Sequence, residues 1–383
     1  MRMSDSVFFI DNAGWHHPPN RLCLGDELIG AKEINMLDYV YCCPDSVPDA
    51  QKYAASDRRY YVTPSYIDIQ VNGYNEVTLD GNDGVTVEKL EHISESLKHS
   101  GCAIFVPTLI TSPYEILKKS LEQTELYMKK HPGRIPGLHI EGPFISPVKK
   151  GIHKEAYIRK LEGRDLELIL RYAGAVSYIT LDPNAVTPDV MKELLNAGIR
   201  LSLGHTEADY RKAEEFIGNG ATLGTHLYNA MTMAANGRTP MAVEAILNSD
   251  TVYCGVIGDG IHVNYALVRL AHRLLGDRFV LVTDCLAAAG TDPEKFRSFV
   301  FAEKEIFNDP VKGCIDAKGT LGGSRLTMTE GVQNLVRHAG FTLNEAVYAA
   351  TLAPAKALGI NLSGNYNILD EDLNLVDVIS GKD

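Results

Sequence analysis

Eight short β-branched or apolar runs, separated by helical patterns, fill the chain from Tyr61 to Thr283, and this alternation restricts the fold more than any other feature. The runs are Tyr61–Val71, Cys102–Leu109, Arg134–Ile140, Val176–Leu181, Ile199–Gly204, Ala221–Thr225, Thr251–Ile257 and Phe279–Thr283. Between them Val87–His99, Tyr114–Lys130, Thr187–Ala197, Glu207–Gly218 and Asn264–Leu275 carry apolar residues near i, i+3, i+4 spacing and are predicted helices. Repeated βα units build a parallel sheet, and eight of them over roughly 250 residues suit a closed (β/α)8 barrel better than an open doubly wound sheet. Helix boundaries agree: Thr187-Pro188-Asp189 offers an N-cap with proline in the first turn, and Gly198 and Gly220 stand where C-terminal caps belong. No Gly-x-Gly-x-x-Gly follows a predicted strand, so a dinucleotide-binding fold has no support.

Residues 62–358 are assigned to the barrel. Residues 1–61 and 359–383 are too little patterned or too few for domains of their own and are expected to join in one small β unit. Within the first of these, Trp15-His16-His17-Pro18-Pro19 reads as a surface loop before two prolines, with a metal-binding histidine pair as the alternative.

The charge balance narrows the partners. A formal net charge of −12 argues against nucleic-acid or anionic-membrane surfaces, and an anionic small substrate would need a local basic pocket. The seven cysteines form an odd set without Cys-x-x-Cys spacing, as expected of reduced thiols in a cytoplasmic chain. No stretch reaches the ~18 apolar residues of a membrane span, and the N-terminal residues lack a long apolar segment.

Glu141, His205, His226 and Asp284 each stand at the downstream end of one of the runs. A parallel barrel gathers those ends on one face, so residues scattered in sequence can meet there. Glu141, His205 and His226 supply the roughly three ligands a catalytic zinc takes while keeping one position open. Asp284 is either a further ligand or a carboxylate that takes a proton from an attacking water and returns it to a departing amine. His153, in Lys149-Lys150-Gly151-Ile152-His153, is a candidate for polarising a substrate carbonyl. The Asn229-Ala230 backbone amides and Arg238 are candidate phosphate anchors, and His262 is placed to reach a sugar hydroxyl or the phosphate.

Taken together these segments resemble the N-acetylglucosamine-6-phosphate deacetylases of the amidohydrolase superfamily. The most specific matches are Pro64–Gly73, Gly137–Phe144, Leu203-Gly204-His205-Thr206, Thr225–Met231, Gly258–Val263, Thr283-Asp284 and Thr320-Leu321-Gly322-Gly323-Ser324, in family order. The resemblance implies a (β/α)8 barrel with a small β-sandwich from both termini, usually as a homodimer. It implies that Glu141, His205 and His226 bind the metal, that Asp284 handles the proton and that His153 faces the acyl carbonyl. Asn229, Ala230, Arg238, His262, Leu321, Gly322, Gln70 and Asn72 correspond to substrate-side positions, the arginine lent by the neighbouring subunit. Gln70-Val71-Asn72 stands where many amidohydrolases carry His-x-His, and amides are poor zinc ligands, so one divalent ion is expected, zinc first, with iron, cobalt or manganese also compatible.

The implied reaction is hydrolysis of N-acetylglucosamine 6-phosphate to glucosamine 6-phosphate and acetate. Rival readings are deacetylation of another N-acetylhexosamine phosphate, such as N-acetylgalactosamine 6-phosphate, and a silent sugar-phosphate-binding paralogue. The sequence departs from the family at Pro64-Ser65, at Tyr74–Val77, at Leu181-Asp182-Pro183-Asn184, at Cys285-Leu286 and over Asn367–Asp383. None of these removes a proposed ligand.

Overall fold

The computed structural model describes residues 9–11, 14–16, 37–42, 46–53, 58–80 and 83–381. Eight parallel strands follow one another in a single sheet: β1 (Tyr66–Val71), β2 (Cys102–Ile110), β3 (Leu138–Glu141), β4 (Val176–Leu181), β5 (Arg200–Leu203), β6 (Leu223–Gly224), β7 (Tyr253–Ile257) and β8 (Phe279–Val282). The sheet closes between β8 and β1. There Val71 bridges Cys285, and the buried Asp68 carboxylate accepts from the backbone N–H of Gln70 and from both the N–H and the hydroxyl of Thr283. Burial pushes Asp68 up to about 6 against the downward pull of those three donors, which offset part of the cost of placing a carboxylate in the wall.

Nearly every strand residue is buried, as expected where helices cover a parallel sheet. Val87–His99 shows how the covering works: the Thr86 hydroxyl accepts from Lys89 N–H at its start, and Val87, Leu90, Ile93 and Leu97 turn one apolar stripe to the wall. Thr187 caps Pro188–Asn196 in the same way, and Gly198 and Gly220 take the positive φ that follows a helix end.

The strand boundaries depart furthest from expectation in three places. Tyr61–Val71 is two strands, because after Pro64 the backbone changes partners: Ser65 N–H bonds Asn365, whereas Tyr66 N–H bonds Gly101. The predicted domain break after residue 61 therefore falls inside the strand Tyr60–Pro64. The third strand begins at Leu138 instead of Arg134, since Pro136 has no N–H to donate and Gly137 adopts a φ of +132°. The sixth ladder shrinks to Leu223–Gly224.

Tyr60–Pro64 lies in a four-stranded sheet with Leu37–Tyr39, Asn365–Asp370 and Leu375–Ser380, so both ends of the chain meet in one β unit. Gly14–His16 pairs with Phe9–Asp11, which corrects the loop reading for Trp15 and His16: an aromatic residue favours the extended ribbon. His17-Pro18-Pro19 lie outside the described residues. A second four-stranded antiparallel sheet, unexpected from the sequence, follows β8 as Ser298–Phe301, Lys304–Asp309, Gly313–Asp316 and Leu321–Gly323. Its last strand returns Leu321 and Gly322 to the barrel mouth, where Ser324 N–H bonds Asp284 O and the Ser324 hydroxyl bonds Thr283 O.

Below the mouth the barrel interior is partly polar. His139 in β3 bonds Thr108 at 3.1 Å and Thr180 at 2.7 Å, and Thr180 continues to Thr225, which meets Ser202. The His139 ring stacks on Tyr178 with centroids 3.9 Å apart, and burial lowers it to about 3, so it is neutral. A fully bonded layer of this kind fixes the ends of β2 to β6 relative to one another.

Candidate active site

The four residues at the strand ends converge. Glu141 closes β3, while His205, His226 and Asp284 each lie two residues beyond β5, β6 and β8. The last three adopt left-handed backbone, with φ of 47°, 32° and 51°. Histidine and aspartate tolerate that region better than most residues, yet each such position costs about 1–2 kcal/mol. The twist turns each side chain from the wall toward the barrel axis.

Glu141 Oε1 lies 3.3 Å from His205 Nε2 and 2.9 Å from His226 Nε2, and the two nitrogens are 3.1 Å apart. Donor atoms about 2.0 Å from one ion in tetrahedral arrangement stand roughly 3.3 Å from each other, so this triangle fits a single cation. His205 Nδ1 lies 2.7 Å from the Lys149 carbonyl, which can only accept, so Nδ1 carries the hydrogen and Nε2 presents its lone pair. Burial raises Glu141, but the hydrogen bonds and charges of both histidines outweigh it and leave the carboxyl well below its ordinary range. For His226, Glu141 outweighs the downward pull of burial. A carboxylate and two imidazoles thus compete to hold one positive charge, proton or metal. Among the described residues this is the one cluster of three such groups with metal-site geometry.

Asp284 sits beside the triangle. Its Oδ1 accepts from Asn72 Nδ2 at 2.6 Å and from Gln70 Nε2 at 3.1 Å, while Gln70 Nε2 also reaches Glu141 Oε1 at 3.0 Å. Burial, then the charge of Glu141, push Asp284 up to about 7. Gln70, expected among the substrate contacts, is instead a buried strut between the two carboxylates and does not line the cavity.

The cavity over the triangle is lined by Asn72, His153, Asn229, Ala230, His262, Leu321 and Gly322 as expected, and by Ile110, Ile152 and Gly323 in addition. One expectation needs correction. Asn229 N–H is bonded to His226 O, and its amide Nδ2 to the carbonyls of His226 and Leu227, so of the two backbone amides only that of Ala230 has no partner among the described residues. Arg238 is exposed and does not line the cavity, because its loop runs outward, tied by Glu244 to Ala234 N–H and Met241 N–H.

Asp259 went unassigned in the sequence although it stands three residues before His262. Its Oδ2 lies 2.6 Å from His262 Nδ1, and its Oδ1 accepts the N–H groups of Ile261 and His262. This Asp-x-x-His pair leaves His262 Nε2 for the cavity. The i, i+3 spacing was the signal available.

A parallel barrel with a carboxylate and two imidazoles gathered at its strand ends, and a second carboxylate against them, defines a class: metal-dependent hydrolases. Within that class the chain belongs to the amidohydrolase family, whose profile matches residues 61–365. It is 39% identical over 300 residues to the N-acetylglucosamine-6-phosphate deacetylase of Haemophilus influenzae, covering 78% of this chain and 77% of that one. It is also 32% identical over 329 residues to an N-acetylgalactosamine-6-phosphate deacetylase of a Shewanella species, covering 84% and 82%. The crystal structure of N-acetylglucosamine-6-phosphate deacetylase from Pasteurella multocida superposes with a TM-score of 0.79 at 36% identity, covering 84% of this chain and 85% of that one.

Proposed function

We propose that the chain hydrolyses the acetamide of N-acetylglucosamine 6-phosphate, releasing acetate and glucosamine 6-phosphate. The observation that carries this reading is the Glu141–His205–His226 triangle with Asp284 against it, under a cavity whose wall bears His153 and His262. Relatives named for this reaction support it.

Glu141, His205 and His226 would hold one divalent cation, zinc first, with iron, cobalt or manganese as alternatives. Bound there, such an ion supplies Lewis acidity to the acyl carbonyl and makes water acidic enough to attack near neutral pH. The chain's own residues do the rest. Asp284, its Oδ1 saturated by two amides, takes a proton on Oδ2 as water adds to the acyl carbon. It then delivers that proton to the sugar nitrogen as the C–N bond breaks. His153 donates to the carbonyl oxygen as negative charge gathers on it. His262, oriented by Asp259, and the free Ala230 N–H hold the sugar and its phosphate, so binding far from the amide becomes orientation at the amide.

Acetate release by metal-loaded protein tests the assignment. Charge-assisted contacts to phosphate predict that removing the 6-phosphate lowers kcat/KM by about 100-fold or more, and equal rates with and without it would sink the anchoring role. The relative from Shewanella is named for the C4 epimer, so the same assay run on N-acetylgalactosamine 6-phosphate decides between the two sugars.

We further assign a homodimer in which Arg238 of each subunit reaches the other's phosphate site, in keeping with its exposed position outside its own cavity. Co-expressing Arg238→Ala and Asp284→Asn chains then yields hybrids with one complete site each, and about a quarter of full activity returns from two impaired parents. An arginine acting within its own chain would give no recovery. A cytoplasmic location is in keeping with Cys102, Cys254, Cys285 and Cys314, which are buried thiols. Among the described residues no helix is long and apolar enough to cross a membrane.

A further inference from the structure

We propose that Thr111 is a positioning residue that sets which nitrogen of His153 carries the hydrogen; this rests on the hydrolytic reading above and on the carbonyl-facing role given there to His153. Thr111 follows β2 directly and is buried. Its Oγ1 lies 2.8 Å from His153 Nδ1, and its backbone N–H reaches the same nitrogen from 3.4 Å. A backbone N–H can only donate, so Nδ1 is an acceptor and the hydroxyl acts as a second donor to it. A hydrogen on Nδ1 would oppose the Thr111 N–H, which excludes both the other neutral tautomer and the imidazolium. The ring hydrogen is therefore on Nε2.

The other side of the ring is free for substrate. Among the described residues no group bonds His153 Nε2, and the ring lines the cavity against His205 with centroids 4.5 Å apart. The residue after Glu141 makes room for the arrangement. Gly142 has a φ of +84°, and a Cβ there would overlap Thr111 Oγ1 and come within 3.4 Å of His153 Nδ1. Only glycine leaves space for the hydroxyl to reach the imidazole. The consequence for catalysis is directional: an Nε2–H meets a carbonyl oxygen as a donor, whereas the alternative tautomer would meet it lone pair to lone pair.

The decisive measurement is a 15N spectrum of histidine-labelled, metal-loaded protein, with His153 assigned by its disappearance in His153→Gln. Pyrrole-type Nε2 and pyridine-type Nδ1 are expected, and a pyrrole-type Nδ1 in the unsubstituted protein overturns the proposal whatever the variants do. Thr111→Val should lower kcat by about 10- to 100-fold, the scale of weakening one oxyanion donor, with metal content retained and KM changed less than about twofold. Thr111→Ser should restore most of the rate by returning the hydroxyl. Unchanged kcat in Thr111→Val, or no rescue by serine, also counts against the role. If Thr111→Val loses metal or fold, the spectrum of the unsubstituted protein still decides. Absence of acetate release from every N-acetylhexosamine phosphate would defeat the hydrolytic reading separately, since the tautomer is read without turnover.

Discussion

Replacing Asp284 by asparagine is expected to lower kcat by about 10²- to 10⁴-fold, the range of a lost general base, while metal content stays that of the parent. The substitution is mild for the fold. Asparagine keeps a carbonyl oxygen that can accept from Asn72 and Gln70 as Asp284 Oδ1 does, and it removes only the second oxygen, the one assigned to the proton. The pH profile gives an independent reading. Burial and Glu141 push Asp284 up to about 7, and a cation in the neighbouring triangle pulls it down again. Since only the ionised carboxylate can accept a proton, kcat/KM should fall as pH drops through this group, with a midpoint at or below about 7. Asp284→Asn should lack that acidic limb. Loss of metal in the variant would instead make Asp284 a ligand.

Chelation should abolish turnover, and adding back zinc, iron(II), cobalt or manganese should restore it. His226→Ala, in contrast, should remain without activity at any metal concentration within reach. The triangle that Glu141 Oε1 makes with the two Nε2 atoms brings a carboxylate and two imidazoles into one buried space, and their charges are balanced best by a cation. Because the ligand set favours a proton at His226 when no metal competes, chelation should be accompanied by proton uptake near neutral pH. Calorimetry in buffers of different ionisation enthalpy measures that uptake. Stability should follow: at 100 to 1,000 times its Kd an ion that binds only the folded state contributes about 2.7–4.1 kcal/mol, so chelation should lower Tm by several degrees. Full turnover in chelated protein would remove the metal from the reaction.

The barrel was legible because a strand buried on both faces is apolar along most of its length, as β2 is: all nine residues from Cys102 to Ile110 are buried and Thr108 alone among them carries a polar side chain. The site was legible for a related reason: a polar residue closing such a run has to face the strand-end rim. Features that lack these signatures are not legible in the sequence. The sheet from Ser298 to Gly323 alternates buried and exposed positions, with Ile306 buried beside a Phe307 that is 40% exposed, so no continuous run announces it. Thr111 gains its role from a bond to a residue 42 positions away, which no local pattern encodes. Gln70 stands out in the sequence only as the amide in place of an imidazole; its use, tying Glu141 to Asp284, is a property of the closed barrel.

The left-handed backbone at His205, His226 and Asp284 has a consequence for how the chain can be improved. Glycine would relax all three positions, so at these sites a gain in thermal endurance and the loss of the reaction come from the same substitution. A library sorted on heat resistance alone would drift toward inert barrels, and the positions at which it drifts would trace the rim. Robust catalysts should be sought among variants that stiffen the helices and the terminal sheet, where comfort of the backbone and turnover are not in competition.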